Sequence, residues 1–310
     1  MRTDLDEILH TACSQQSIDP TDAKLIHHYS NAVYILPAAG AVARINTGGE
    51  TASRLETTQA ITSWLVADQG FAATAPLPGA DLVQTDASTV VTFWIYYRQP
   101  VTAPELTSTH LGELLRTLHH TPPPPIEVSP WKPLESLQNA LADPAADDAL
   151  SPNDRRWLMH RIEELETELG ELEWPLGHGL IHGDAWAGNL LWSTDDPHRA
   201  MVCDWDRVSH GPLEVDLIPT WHAAFRYGRD EAWIQGFVKR YGYDLRDSIG
   251  YEALLAMRDL AQLPGPIRRV SNPSYAAVLR QRLNAIRAGH RPETWVTAPT
   301  TRQGLLLGWC

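Results

Sequence analysis

The chain has 310 residues, 43% hydrophobic and 20% charged, with a formal charge of −13 at pH 7 and a pI of about 5.4. That profile fits a folded body large enough for two lobes or two small domains. The acidic balance opposes nonspecific attraction to nucleic acid or anionic lipid and favours a cationic small partner, although mild acidity also serves solubility.

Taken in chain order, Leu5, Ile8, Leu9 and Ala12 recur at helical spacing and predict a short leading helix over residues 4–14. Short apolar runs at Leu25-Ile26, Val33 to Leu36 and Val42 to Ile45 then predict three antiparallel strands, with Ser30-Asn31 and Ala38-Ala39-Gly40 as turns. Gly48-Gly49 ends the third strand. Leu55, Ile61, Trp64 and Leu65 predict a helix over residues 51–68, and two further strands fall near residues 81–85 and 88–96. Beyond Pro100 helical patterns dominate, at residues 103–120, 133–141, 152–169, 213–227, 231–240, 251–263 and 273–287. They are interrupted by short strands between Gly179 and Asp204, with Thr194-Asp195-Asp196-Pro197 as a hairpin turn.

The expected fold class is therefore α+β. A small antiparallel sheet with one helix forms an N-terminal lobe over residues 1–99, and a mainly helical C-terminal lobe covers residues 100–310, with a cleft between them. No apolar run approaches membrane-spanning length and the N-terminus has no secretory pattern, so a cytoplasmic location without a membrane partner is expected. Three widely spaced cysteines, Cys13, Cys203 and Cys310, argue against a disulfide framework and against a thiolate zinc site.

The chemistry concentrates in His182-Gly183-Asp184-Ala185-Trp186-Ala187-Gly188-Asn189 and in Cys203-Asp204-Trp205-Asp206. Asp184 follows the apolar run Gly179-Leu180-Ile181 and precedes small residues, so its carboxylate is expected on an accessible loop. There it can orient a hydroxyl or accept its proton. Asn189, spaced D-x4-N, can bring an amide oxygen back to the same point. Asp204, at a strand end, adds the charged oxygen that magnesium prefers.

These motifs, together with Gly211-Pro212-Leu213-Glu214-Val215-Asp216-Leu217, strongly resemble the aminoglycoside phosphotransferase and choline kinase family, which has a protein-kinase-like fold. The resemblance implies that Asp184 is the catalytic base and that Asn189 and Asp204 bind Mg2+. It further implies ATP or GTP as phosphate donor, with His182 and Asp216 supporting the catalytic loop. Ala41-Val42-Ala43-Arg44 resembles the kinase strand that carries the nucleotide-binding lysine, with Arg44 in its place. Glu56 is then the natural ion-pair partner, Glu50 a rival, and a solvent-facing Arg44 the alternative.

No glycine-rich phosphate loop is present, so Tyr29-Ser30-Asn31-Ala32 is the candidate phosphate-covering turn, with Ser30 and Asn31 at its tip, or else an ordinary hairpin. The strand end with Trp94 and Tyr96 is placed to meet the nucleotide base through its backbone.

For the acceptor, Asp206, Glu214 and Trp186 are candidates, and Asp230, Glu231 and Asp259 could add to an acidic cluster that draws in an amine-bearing sugar or choline-like cation. Asp206 is equally readable as a supporting group or a solvated turn acid. The reading is a small-molecule kinase acting on a hydroxyl of an aminoglycoside-like or other small acceptor. The alternative is a non-catalytic binding module of the same fold, to which Arg44 and the missing glycine loop point.

Overall fold

The computed structural model describes residues 2–28, 31–47, 51–100, 102–196, 198–289 and 293–297. Five antiparallel strands build the N-terminal sheet: β1 (Lys24–His28), β2 (Asn31–Leu36), β3 (Ala41–Asn46), β4 (Val83–Gln84) and β5 (Val90–Ile95), in the order β1-β2-β3-β5-β4. Successive side chains in a strand point to opposite faces, so each strand contributes to two layers. Ala32, Tyr34, Ala43, Ile45, Val91 and Phe93 pack on one face with Leu5, Leu9, Ala12 and Cys13 of helix α1 (Arg2–Gln15). The other face carries Ile26, Val33, Ile35, Val42 and Trp94. Arg44 stands opposite Val33 and Thr92 in the strand register, and so lies on this second face.

Helix α2 (Ala52–Ala67) starts at Thr51, whose hydroxyl accepts from Arg54 N. The sequence reading made α2 the internal helix of the sheet lobe. Its Ile61, Trp64 and Leu65 also join Phe71, Leu190, Val202 and Trp205 in the large core that continues through the C-terminal half.

The stretch after α2 joins the halves through its backbone. Thr74 N donates to Val202 O and Val202 N to Ala72 O, while Ile95 N donates to Ala75 O and Leu77 N to Phe93 O. The Gln99 amide adds a second tie. It accepts from Trp192 N at 2.8 Å and donates to Trp192 O at 2.9 Å.

In the C-terminal half, α3 (Ser108–Leu118) crosses α8 (Glu231–Tyr241) closely because two glycines meet there. A Cβ on Gly112 would lie 2.7 Å from Phe237 O, and one on Gly236 2.5 Å from Thr109 Oγ1. α4 (Glu135–Ala142), α5 (Ala145–Ala149), α6 (Pro152–Glu171), α7 (Ile218–Tyr227), α9 (Tyr251–Leu260), α10 (Pro264–Arg268) and α11 (Pro273–Arg287) complete the helices.

Two short sheets lie among them. β6 (His178–Ile181) pairs with β9 (Ser209–Pro212), and β7 (Leu190–Trp192) forms a hairpin with β8 (Ala200–Val202). α3 starts at Ser108 rather than at 103, because Thr107 and His110 form a capping box there. α7 starts at Ile218 rather than at 213, because Leu213–Asp216 forms a separate 3-10 turn. α5, α10 and β9 are too short to leave a periodic trace in the sequence. Among the described residues no helix is long and apolar enough to cross a membrane.

Leu65 is fully buried in the core shared by the two halves. Leu65→Ala is expected to cost about 2–5 kcal/mol, read as a lower urea midpoint with an unchanged slope. A loss below about 1 kcal/mol would contradict the packing described.

Candidate active site

The loop between β6 and β7 carries Asp184, and it is held in shape from below. Asp216 is fully buried, and its carboxylate accepts from His182 N at 2.7 Å and from Gly183 N at 2.8 Å. Its Oδ2 also accepts from His119 Nε2 at 3.2 Å. A carboxylate can only accept, so Nε2 donates to Asp216, and in the neutral ring Nδ1 accepts from Tyr241 Oη at 2.8 Å.

His182 is fixed in the same way. Asp184 N donates to His182 Nδ1 at 3.3 Å, so Nε2 is the donor to Cys203 O at 2.8 Å. His182 thereby ties the Asp184 loop to the Asp204 loop.

Gly183 has φ +80°, and a Cβ there would sit 2.3 Å from Arg207 O. Only glycine fits both the left-handed backbone and the close approach. Asn189 donates from Nδ2 to Asp184 O at 3.0 Å, and its own carbonyl accepts from Cys203 N at 3.0 Å. The amide's remaining ligand atom is Oδ1. Asp204 is in the left-handed conformation at φ 63°, a strained position for a non-glycine residue that turns the chain sharply after β8.

Three carboxylates converge where the halves meet, each met by an arginine. Arg44 Nη2 donates to Asp206 Oδ2 at 2.6 Å and to Asp204 Oδ1 at 3.1 Å. Asn31 Nδ2 donates to Asp206 Oδ2 at 3.1 Å. Arg258 of α9 donates from Nη1 to Asp184 Oδ1 at 2.7 Å. Burial alone would raise the Asp184 carboxyl, but the charges of Arg258 and Arg207 override it and hold the group below the ordinary carboxylate range. Asp204 moves the other way. Burial raises it first, the neighbouring Asp206 charge raises it further, and the pull of Arg44 does not compensate.

A raised acid beside two like charges is a site short of positive charge, which fits a hard divalent cation with oxygen ligands. Among the described residues no three His, Cys, Asp or Glu side chains form a metal-binding group. A cation here would therefore take Asp204 and Asn189 Oδ1 from the protein and its other ligands from phosphate and water, the usual habit of Mg2+.

Several expected site residues are placed otherwise. Glu56 is exposed on α2, and the ion pair expected between it and Arg44 is not formed, because Arg44 reaches across the cleft to Asp204 and Asp206. Trp94 is buried with its Nε1 donating to Thr92 Oγ1, so its indole is packing. The backbone around it is also occupied, since Ile95 N donates to Ala75 O and Tyr96 N to Gly40 O. Tyr29 and Ser30 lie outside the described residues.

Glu214 is fully buried and accepts from Leu176 N at 2.9 Å, which removes it from any acceptor site. Asp206 is committed to Arg44 and Asn31. The proposed acidic cluster is dispersed as well. Asp230 caps α8, Glu231 pairs with Arg246, and Asp259 is buried against Arg226 and His222. Trp186 is 46% exposed, and its ring lies over Gly188, where a Cβ would come within 2.2 Å of it.

Arg258 and His119 are the site residues the sequence reading missed. They stand 74 positions from Asp184 and 97 from Asp216, and no local motif announces them.

α9 presents Arg258 to Asp184 and buries the adjacent Asp259, where Arg226 Nε donates at 2.9 Å and His222 Nε2 lies at 3.0 Å. Burial pushes His222 down from 6.5 to about 4, outweighing the hydrogen bond to Asp259 that raises it. The unfolded chain therefore binds a proton near pH 6.5 that the folded chain refuses until about pH 4, and stability falls as pH drops through that window. His222→Gln is expected to flatten the fall of the urea midpoint between these pH values. A curve parallel to that of the wild type would contradict the assignment.

A protein-family comparison matches residues 22–256 to the phosphotransferase enzyme family, APH. Comparison with curated proteins gives no match. Among solved structures, the chain is similar to the amicoumacin kinase hAmiN in complex with AMP-PNP, Ca2+ and Ami, with a TM-score of 0.66, 13% identity, and 91% of this chain and 93% of that one covered. It is similar to a microcompartment-associated aminopropanol kinase (TM-score 0.67, 17% identity, 93% and 99% covered). It is also similar to the aminoglycoside phosphotransferase APH(3'')-Id from Streptomyces rimosus (TM-score 0.60, 19% identity, 83% and 98% covered). At these identities the likeness speaks to the fold.

Proposed function

The chain belongs to the APH phosphotransferase enzyme family and is a phosphotransferase acting on a hydroxyl group, and from that premise we propose that it moves the γ-phosphate of ATP or GTP to a small hydroxylated molecule at Asp184. The observation that carries the reading is the convergence of Asp184, Asp204 and Asn189 at the meeting of the two halves, with Arg44 reaching in from the sheet. Intact carboxylates at both positions favour an enzyme over a binding module. The nucleotide would lie where the sheet meets these carboxylates, beside the face that carries Ile26, Val33, Ile35 and Val42, which are themselves buried. Arg44, on the same face, would be available to phosphate oxygens once it releases Asp204.

In the transfer, the acceptor oxygen forms a bond to the γ-phosphorus as the bond from that phosphorus to the β–γ bridging oxygen breaks. The nucleoside diphosphate leaves with the electron pair, and the hydroxyl proton passes to Asp184. A carboxylate held below its ordinary range is a weak base. That suits a loose phosphoryl transition state, in which orienting the hydroxyl matters more than early proton removal. Mg2+, held by Asp204 and Asn189 when bound, would supply charge stabilisation to the phosphate oxygens. His182 and Gly183, fixed by Asp216, keep Asp184 in place throughout.

Asp184→Asn is expected to lower turnover by about 100-fold or more while nucleotide affinity changes little, and Asp204→Ala to weaken Mg2+-dependent nucleotide binding. The assay is release of ADP or GDP stimulated by hydroxylated amines, sugars and antibiotics, with the phosphorylated product identified by mass spectrometry. Turnover retained in the Asp184 variant would contradict its role as base.

A further inference from the structure

Two arginines, Arg258 and Arg207, act on Asp184, although the chain as a whole is acidic. Arg258 spends Nη1 on Asp184, while its Nε is buried without a hydrogen-bond partner and its side chain remains 16% exposed. Arg207 packs its backbone against Gly183, one residue before Asp184, and its side chain is exposed without a hydrogen bond or ion pair among the described residues. Its charge acts both on Asp184 and on Arg268, at the end of α10. Arg269 follows.

The nearby acids already have cationic partners. Glu135 holds Arg54 and Lys132, Asp204 and Asp206 share one arginine, Arg44, and Asp143 acts on Arg268. A cationic acceptor would meet like charges here and would compete with Arg258 for Asp184.

We propose that the acceptor is a small hydroxylated anion whose carboxylate or phosphate docks on Arg207 and Arg258, bringing a hydroxyl onto Asp184. Guanidinium groups bind both anions through two parallel donors, so the shared requirement is a planar or tetrahedral oxyanion a short distance from the reacting hydroxyl. The exposed Trp186 ring, on the same loop as Asp184, offers an apolar surface to the carbon skeleton between the two. Docking on Arg258 also draws that guanidinium partly away from Asp184, which frees a carboxylate oxygen for the hydroxyl proton. The proposal rests on the kinase reading above.

The test holds the skeleton constant and varies the charge. Wild-type protein with saturating ATP or GTP and Mg2+ is assayed with glycerate, glycerol phosphate, glycerol and aminopropanediol as acceptors. The expected result is kcat/KM for at least one anion about tenfold or more above that for glycerol, and aminopropanediol no better than glycerol. The comparison of glycerate with glycerol phosphate separates a carboxylate from a phosphate.

Arg207→Ala should bring the ratio of anion to glycerol close to one, and Arg207→Lys should restore most of it. Taking the ratio within each preparation removes any loss of folded protein. Preference for the amine, no stimulation by any anion, or a ratio unmoved by Arg207→Ala would overturn the inference. If Mg2+-dependent nucleotide hydrolysis persists in such a case, the kinase reading stands alone. If nucleotide is neither bound nor hydrolysed, the kinase reading has failed and the inference falls with it.

Discussion

Three carboxylates brought together in a half-buried cleft repel one another, and the protein meets that cost with two arginines from opposite halves. Arg44 comes from β3 and holds Asp204 and Asp206, while Arg258 comes from α9 and holds Asp184. Removing a cation from such an arrangement leaves buried charge uncompensated, which is far costlier than losing a surface ion pair. The position of the sheet over the helical half is therefore coupled to the electrostatics of the site. The Arg44 contacts are an interlobe clamp, and the same groups would be rearranged when nucleotide and cation arrive.

The rest of the architecture makes that clamp possible by leaving the halves little freedom. α2 shares its apolar face with the C-terminal core, residues 72–77 bond to β8 and to β5, and Gln99 closes the connection on Trp192. Under the loop, Asp216 receives two backbone donors and the His119 proton, so the Asp184 loop is positioned by a fully buried acceptor. α9 works on both sides at once. Asp259 anchors the helix through Arg226 and His222, and the next residue back, Arg258, delivers its guanidinium to Asp184.

How much of this was legible in the sequence depended on range. The Asp184, Asn189 and Asp204 set could be read because D-x4-N and an aspartate at a strand end are local patterns, and the strand and helix order followed from hydrophobic period. Arg258, His119 and Gln99 could not be read, because their roles exist only after residues 74, 97 and 93 positions apart are folded together.

The misplaced residues share a cause of a different kind. Glu56 was chosen by analogy of position, but the arginine it was meant to meet found two carboxylates closer across the cleft. Glu214 and Asp259 are acceptor-site candidates by residue type and chain position, and both are buried, one on a backbone amide and the other on Arg226 and His222. Net charge, which favours a cationic partner, says nothing of how the arginines are distributed.

The central claim is that this cleft of three carboxylates and two arginines is a nucleotide site completed by a divalent cation. Calorimetric titration of the wild-type protein with ATP and with GTP, each in Mg2+ and in excess chelator, tests it most directly. The account predicts saturable one-to-one binding of at least one nucleotide that weakens by about tenfold or more when Mg2+ is removed. Binding of neither nucleotide, or binding indifferent to the cation, would contradict it.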